Sequence, residues 1–328
     1  MILNHIYEGD CLKVLKTLPN NSIDCCVTSP PYYGLRDYGM GAQIGMEETP
    51  EKFIKNLVKV FTQVKRVLKN DGTLWLNIGD SYASQGKNRT VEQAISKSKL
   101  NGGLKSQTQI LKQQNKITKG LKAKDLIGIP WMLAFALRKS GWYLRQDIIW
   151  HKKNCMPESV KDRCTKNHEY IFLLSKSSTY FFDETAIMED AVWDLDGTGT
   201  IKRKLRQSDD NKCQPGIKEA GIRKVYENGK TGTAFKEVTG KRNKRSVWSY
   251  PTAQFAEAHF ATFPQELIVD CIKAGCPVNG VVLDPFFGAG TTGLVARKLN
   301  RNYIGIELNP EYITIAENRL SSNLGLFK

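Results

Sequence analysis

The sequence predicts an α/β fold: a Rossmann-like, doubly wound, mostly parallel sheet with an antiparallel edge hairpin and a basic insertion. Three observations lead there. Short apolar runs alternate with helix-periodic segments over most of the 328 residues, the pattern of strands joined through crossover helices. Val281-Val282-Leu283 runs into Asp284-Pro285-Phe286-Phe287-Gly288-Ala289-Gly290-Thr291-Thr292-Gly293, which reads as strand, glycine turn and helix start. Ile23-Asp24-Cys25-Cys26-Val27 runs into Thr28-Ser29-Pro30-Pro31-Tyr32. Two prolines neither continue a helix nor donate to a central ladder, so the backbone must leave the sheet there.

The remaining elements follow in chain order. Thr49-Pro50-Glu51 opens a helix that carries Phe53, Leu57, Val60, Phe61, Val64 and Leu68 on one face and is ended by Asn70-Asp71-Gly72. Residues 73–78 read as a buried strand, and 83–124 as a long Gly/Ser/Gln/Lys-rich loop. Residues 129–137 return to helix and 143–150 to strand. Residues 169–174 read as a strand that pairs with Tyr180-Phe181-Phe182 across a turn, forming the edge hairpin. Residues 185–250 are polar, glycine-rich and weakly periodic. Helix (264–274), strand (281–283), helix (291–299), strand (303–306) and an amphipathic helix (311–320) complete the chain. This divides it into one half of the main domain at 1–184, an inserted region at 185–250 and the other half at 251–328.

Charge narrows the partners. The net charge is +15, and it is concentrated: residues 83–124 hold ten basic side chains and one acid, and residues 196–245 hold fourteen and six. Scattered lysine would mark a solvated surface, whereas two weakly periodic basic segments point to a polyanion. The eight cysteines contain no C-x-x-C pair, which argues against a zinc site or a disulfide framework, so no metal is expected. No basic start followed by an apolar core is present, and no apolar run approaches the roughly 18 residues of a membrane span. A reduced, cytoplasmic protein is the expectation.

The two loops carry the chemistry. Gly288, Gly290 and Gly293 match G-x-G-x-x-G, with Glu307 nineteen residues after the first glycine. Such glycines admit close backbone approach by a nucleoside cofactor, and the acid takes ribose hydroxyls. The spacing alone does not choose between NAD and S-adenosylmethionine. Asp284 suits a cationic or ammonium group and Phe286 can cover an adenine; neither suits a pyrophosphate, which favours S-adenosylmethionine. In the other loop, the Ser29 hydroxyl and the Pro30 carbonyl can accept both N–H bonds of an exocyclic amine. Pro30 and Pro31 pre-set the backbone, and Tyr32 can stack on the base.

With these motifs in view, the sequence resembles the amino-methylating DNA methyltransferases of the β arrangement, in which the catalytic motif precedes the cofactor motif. Residues 28–32 resemble the catalytic motif and 284–293 the cofactor loop. Gly305-Ile306-Glu307-Leu308-Asn309-Pro310 resembles the ribose-binding segment, Phe263-Pro264 the motif that closes over the methionine end, and Gly9-Asp10-Cys11 the adenine-contacting segment. The likeness spans roughly 1–80, 125–183 and 246–320. It implies a circularly permuted class I methyltransferase fold, with 185–250 holding much of the target-recognition region. It implies Ser29, Pro30, Pro31 and Tyr32 as the catalytic cup. Asp10, Cys11, Phe263, Pro264, Asp284, Pro285, Phe286, Gly288, Gly290, Thr291, Thr292, Glu307 and Asn309 would surround S-adenosylmethionine. Arg36, Lys152, Lys153, Lys241, Arg242, Lys244 and Arg245 are the candidate DNA contacts.

In this family Ser-Pro-Pro-Tyr is typical of N4-cytosine methylation, and Asp- or Asn-Pro-Pro-Tyr of N6-adenine. The resemblance therefore implies N4 methylation of a flipped cytosine in double-stranded DNA, with N6-adenine as the alternative. A C5 mechanism needs a thiol after a proline, and Cys276-Pro277 has the reverse order. RNA or a protein amide is a more distant substrate. A NAD-dependent oxidoreductase leaves Ser29 to Tyr32 unexplained, and a pure DNA-binding module leaves both loops unexplained. A cognate restriction endonuclease, or a solitary, phage-encoded or nucleoid-associated setting, fits the same family.

Overall fold

The computed structural model describes residues 1–34, 43–83, 121–190, 194–195, 201–202, 241–252 and 263–324. Its strands are β1 (His5–Glu8), β2 (Ile23–Thr28), β3 (Leu68–Ile78), β4 (Tyr143–Lys152), β5 (His168–Ser175), the two-residue β6 (Glu189–Asp190), β7 (Asp194–Leu195), β8 (Ile201–Lys202) and β9 (Lys241–Arg242), then β10 (Val247–Tyr250), β11 (Val281–Asp284) and β12 (Asn302–Glu307). Its helices are α1 (Cys11–Thr17), α2 (Pro50–Val67), α3 (Ile129–Lys139), α4 (Gln265–Gly275), α5 (Thr291–Lys298) and α6 (Pro310–Leu324).

Eight strands form one sheet in the order β1-β12-β11-β2-β3-β5-β4-β10. All neighbours are parallel except β5, which runs antiparallel between β3 and β4. The mostly parallel sheet expected from the alternation is present. Every residue of β2 and of β11 is buried, which is why both read as continuous apolar runs rather than as alternating ones. The parallel pairing of β11 with β2 sets Leu283 opposite Cys26. Two motifs more than 250 residues apart therefore leave the sheet side by side at its C-terminal edge, where ligands of open α/β sheets bind.

Local rules account for the helices that frame this edge. In α2, the Thr49 hydroxyl accepts the Lys52 N–H (3.3 Å) and Pro50 takes the first turn, a favoured start. Phe53, Leu57, Val60, Phe61 and Val64 are buried at helical spacing. The helix then passes directly into β3 at Leu68, so Leu68 opens the strand rather than closing the helix. Gly128 sits before α3 with φ 83° and has no side chain to cap it. Asp80, just past β3, does so instead: its carboxylate accepts the N–H groups of Gly128 (3.0 Å) and Ile129 (3.1 Å).

Three features differ from expectation. Tyr180-Phe181-Phe182 forms no strand, because both edges of β5 are already taken by β3 and β4. Instead Phe182 stacks on Trp75 at 6.3 Å. The antiparallel hairpin is β4–β5, and the edge beyond it is β10, inside a stretch too polar to read as strand. The opening pair β1 and α1 has no counterpart in the sequence reading; β1 has only four residues and pairs with β12.

The chain forms two compact units, one of residues 1–186 and 245–328 and a smaller one of Ile187–Lys244. Its described parts are two antiparallel ladders, β6 with β9 and β7 with β8. No helix among the described residues is long and apolar enough to cross a membrane.

The closeness of α4 to the sheet is testable. A Cβ on Gly275 would lie 2.3 Å from Trp75 Nε1 and 2.8 Å from Thr73 Oγ1, inside the buried stack. Gly275→Ala is expected to destabilise the protein by about 1–3 kcal/mol, read by urea unfolding. An unchanged midpoint would contradict this packing.

Candidate active site

The two predicted loops meet at Asp284. Its side chain is only 2% exposed. Oδ1 accepts the Thr28 hydroxyl at 2.6 Å and the Phe286 N–H at 3.0 Å, and Oδ2 accepts the Thr292 hydroxyl at 2.7 Å. One carboxylate thus ties the residue before Ser29 to the first turn of the helix after the glycine loop. Burial pushes its pKa up to about 6, against the pull of these three donors. The sequence suggests that Asp284 meets a ligand's cation; here its oxygens are engaged within the protein. Thr28, to which the sequence assigns no role of its own, is its partner across the motifs.

The glycine loop has separate reasons for its glycines. Gly288 and Gly290 adopt φ 51° and 76°, a left-handed region that side chains avoid. Gly293 makes room for the buried Phe287 ring, whose Cζ would lie 2.6 Å from an added Cβ. Gly288 has open space where a Cβ would stand. Thr291 accepts a hydrogen bond from Arg319 Nη1 (2.8 Å), which also reaches the Ala289 carbonyl (3.0 Å) and braces the loop from α6. Pro285 is buried, and Phe286 is partly buried against the main core.

At the end of β12, Glu307 faces this loop. Its carboxylate accepts the N–H groups of Gly288 (2.7 Å), Leu308 and Asn309 (both 2.9 Å). Burial raises its pKa, and these donors oppose the shift. The Gly9 N–H donates to the Glu307 carbonyl at 2.8 Å, which brings Asp10 and Cys11 alongside. Asp10 caps α1 by accepting the Lys13 N–H (2.9 Å). Cys11 is buried, and burial pushes its thiol up to about 12, with Asp10 and Glu307 adding to the rise. Pro264 caps α4, and Phe263 precedes it half-buried.

The proline cup is lined by residues that the sequence hid in strands. The Tyr32 phenol donates to Glu169 Oε2 at 2.6 Å and lies 3.4 Å from Asn77 Oδ1. Asn77 Nδ2 donates to the same carboxylate oxygen (3.2 Å) and to the Tyr170 carbonyl (3.1 Å). Lys152 Nζ pairs with Glu169 Oε1, the two side chains being 21% and 11% exposed. A Cβ on Gly79 would lie 2.7 Å from the Tyr32 ring and 3.3 Å from the Glu169 carboxyl. Burial and the Glu169 charge hold the phenol well above the ordinary tyrosine range. Asn77 lies within an otherwise apolar run and Glu169 at the start of another, a mark that does not tell which neighbouring strand either one faces.

The candidate DNA contacts divide. Lys152 is turned inward onto Glu169, whereas Lys153 is exposed. In the second unit, Lys241 pairs with Asp190 and Arg242 Nε with Glu189 (2.8 Å) across the β6–β9 ladder. Lys244 is half-buried and Arg245 exposed. Arg36 and nearly all of the two basic segments lie outside the described residues. No cluster of metal-ligating side chains occurs among the described residues.

Fold and site together define a doubly wound α/β protein with a nucleoside-type glycine loop and a polar proline cup joined at one carboxylate. Comparison with known proteins gives the family. Residues 23–318 match the N6/N4 methyltransferase family, described as DNA methylase. The chain is 45% identical to Type II methyltransferase M.Cfr9I of Citrobacter freundii over 96% of its length and 87% of that protein's. It is 44% identical to M.SmaI of Serratia marcescens over 96% and 90%. In fold it is similar to the PvuII DNA methyltransferase (cytosine-N4-specific), with TM-score 0.59, 17% identity and coverage of 98% and 91%. It is also similar to a putative DNA modification methylase of Thermus thermophilus, solved with S-adenosyl-L-methionine, with TM-score 0.55, 21% identity and coverage of 97% and 95%. The chain belongs to the N6/N4 DNA methylase family.

The state of Asp284 gives a pH signature. Its folded pKa, about 6, exceeds its ordinary value of 3.8, so the folded protein binds more protons than the unfolded chain between these values. Its contribution to stability is complete below pH 4 and is lost as pH rises through 6. The stability advantage of the wild type over Asp284→Asn should shrink by on the order of 3 kcal/mol between pH 4 and 7. A constant difference across that window would contradict the buried carboxylate.

Proposed function

We propose that this DNA methylase transfers a methyl group from S-adenosylmethionine to the N4 amine of a cytosine flipped out of duplex DNA. The observation that carries the reading is the Thr28–Asp284–Thr292 bridge, with hydrogen bonds of 2.6 and 2.7 Å. It sets the proline cup beside the glycine loop, so that an amine and a methyl donor can share one cleft.

The residues fit the cofactor. The open backbone at Gly288 and the carboxylate of Glu307 beside it offer a cradle for a ribose. By the resemblance, Asp10 and Cys11 border the adenine, Phe286 covers it, and Phe263-Pro264 close over the methionine end. Gly290, Thr291, Thr292 and Asn309 shape the loop. Bound there, S-adenosylmethionine supplies a sulfonium methyl open to attack by an amine. The chain's own work is to orient that amine. The Ser29 oxygen and the Pro30 carbonyl accept its two N–H bonds and aim the lone pair, which is catalysis by positioning and fixed dipoles. Flipping costs a few kcal/mol, and stacking on Tyr32 returns about 1–3 kcal/mol.

Cytosine is favoured because Ser29 stands first in the cup, as in the N4 members that the motif resembles. The inserted region 185–250 and the basic segments supply duplex contact and sequence choice. The Type II names of the bacterial relatives support a modification enzyme that acts inside the cell beside a cognate restriction endonuclease.

Ser29→Ala is expected to lower single-turnover methyl transfer by about 100-fold while calorimetric affinity for S-adenosylmethionine is kept. Equal loss of both would contradict the role given to Ser29.

A further inference from the structure

The basic side chains in and around the loops beyond β3 and β4 differ in how their charge is used. Lys152 Nζ pairs with Glu169, and Lys124 Nζ with Asp162 at 2.6 Å. Arg163 pairs with Glu158 and covers the Tyr82 ring at 3.9 Å. Lys153 and Lys161 are exposed. Lys166 fits none of these cases. Its side chain is 17% exposed, yet its paired oxygen, Asp80 Oδ2, lies 3.9 Å away, beyond hydrogen-bond reach. It makes no hydrogen bond among the described residues. Among these residues, Trp142 Nε1 is the one buried side-chain nitrogen or oxygen without a partner, so Lys166 Nζ still meets solvent. Asp80 does not depend on the lysine. Its carboxylate already accepts the N–H groups of Ser81 (2.9 Å), Gly128 (3.0 Å) and Ile129 (3.1 Å).

An ammonium with a covered stem and no acceptor is costly to the protein by itself. Burial lowers its pKa, and the Asp80 charge opposes the shift. An anionic oxygen brought by a ligand would satisfy it, and the covered stem holds the charge in place beforehand. Position says which anion. Asp80 follows Gly79, where an added Cβ would lie 2.7 Å from the Tyr32 ring. Lys166 itself stands three residues before Glu169, which accepts the Tyr32 hydroxyl at 2.6 Å. The ammonium is therefore at the mouth of the cup. A nucleotide whose base enters the cup brings its own phosphates to that mouth. We propose that Lys166 is a phosphate-binding residue, its ammonium taking a backbone phosphate beside the flipped nucleotide. This rests on the base-binding role given to the cup and extends it. The contact fixes the strand in place and carries no sequence choice. Lys152, two strand ends away in the sequence pattern's list of DNA contacts, is already spent on Glu169.

The test measures the affinity of wild type and Lys166→Met for a duplex carrying the sequence that the wild type methylates, across a salt series. S-adenosylmethionine affinity is measured without DNA, and stability by urea unfolding. K166M should weaken duplex binding by about 5- to 10-fold at about 0.1 M salt and make the slope of log affinity against log salt shallower by about 1. Cofactor affinity should be kept. The unfolding midpoint should equal or exceed that of the wild type, because Met keeps the stem and removes the unsatisfied charge. An unchanged slope would overturn the inference; joined to a lower midpoint, it would make Lys166 a structural partner of Asp80. Lost cofactor affinity would also overturn it, by assigning the ammonium to the carboxylate of S-adenosylmethionine. Where K166M is too unstable to assay, the same slope change is required of K166Q. A wild type that methylates no duplex would overturn the proposed reaction and this inference with it. Full turnover in S29A would remove the role of Ser29 alone, so the two readings fail separately.

Discussion

The site depends on one buried carboxylate. Asp284 ends β11, and its bonds to Thr28 and Thr292 add side-chain ties to the strand pairing that sets the proline cup beside the glycine loop. Both partners are short hydroxylated side chains within their motifs, so the bridge tolerates little displacement. Its cost is visible in the raised pKa. A charge withdrawn from water is retained here by three donors, and removing any one of them would leave it under-satisfied.

Two further carboxylates repeat the arrangement at neighbouring strand ends. Asp80 past β3 caps α3, and Glu307 at the end of β12 gathers three backbone N–H groups around the glycine loop. In each case an acid at the C-terminal edge of the sheet satisfies backbone donors that loops leave open. The edge is stiffened before any ligand arrives, which lowers what binding must spend on ordering the site. Glu169, on β5, which runs antiparallel to both of its neighbours in the main sheet, differs in accepting a hydrogen bond from a side chain, the Tyr32 phenol, rather than from backbone.

Much of this is legible in the chain. The strand-loop pairs at 23–32 and 281–293 stand out because β2 and β11 are buried on both faces and their prolines and glycines punctuate them. The second tier is not legible, for physical reasons. Glu169 and Asn77 act across strand pairing, and the β3–β5 register that sets Asn77 opposite Ile171 has no local marker. Lys152 reads as a phosphate contact because a lysine at a strand end is usually solvated, and only the neighbouring strand shows that an acid awaits it. Aromatic content points to a hairpin at Tyr180-Phe181-Phe182, but it reports packing against Trp75 as readily as strand pairing. Charge counted along the sequence also overstates the field available to DNA, since Lys241 and Arg242 are matched by Asp190 and Glu189.

The most direct measurement is to incubate the protein with S-adenosylmethionine and unmethylated genomic DNA, then digest the DNA and identify the modified nucleoside by mass spectrometry. N4-methylcytosine is the predicted product. N6-methyladenine would contradict the base assigned from Ser29, while leaving the cleft and its bridge as described. No modified base, from protein that binds S-adenosylmethionine, would contradict amine methylation of DNA altogether.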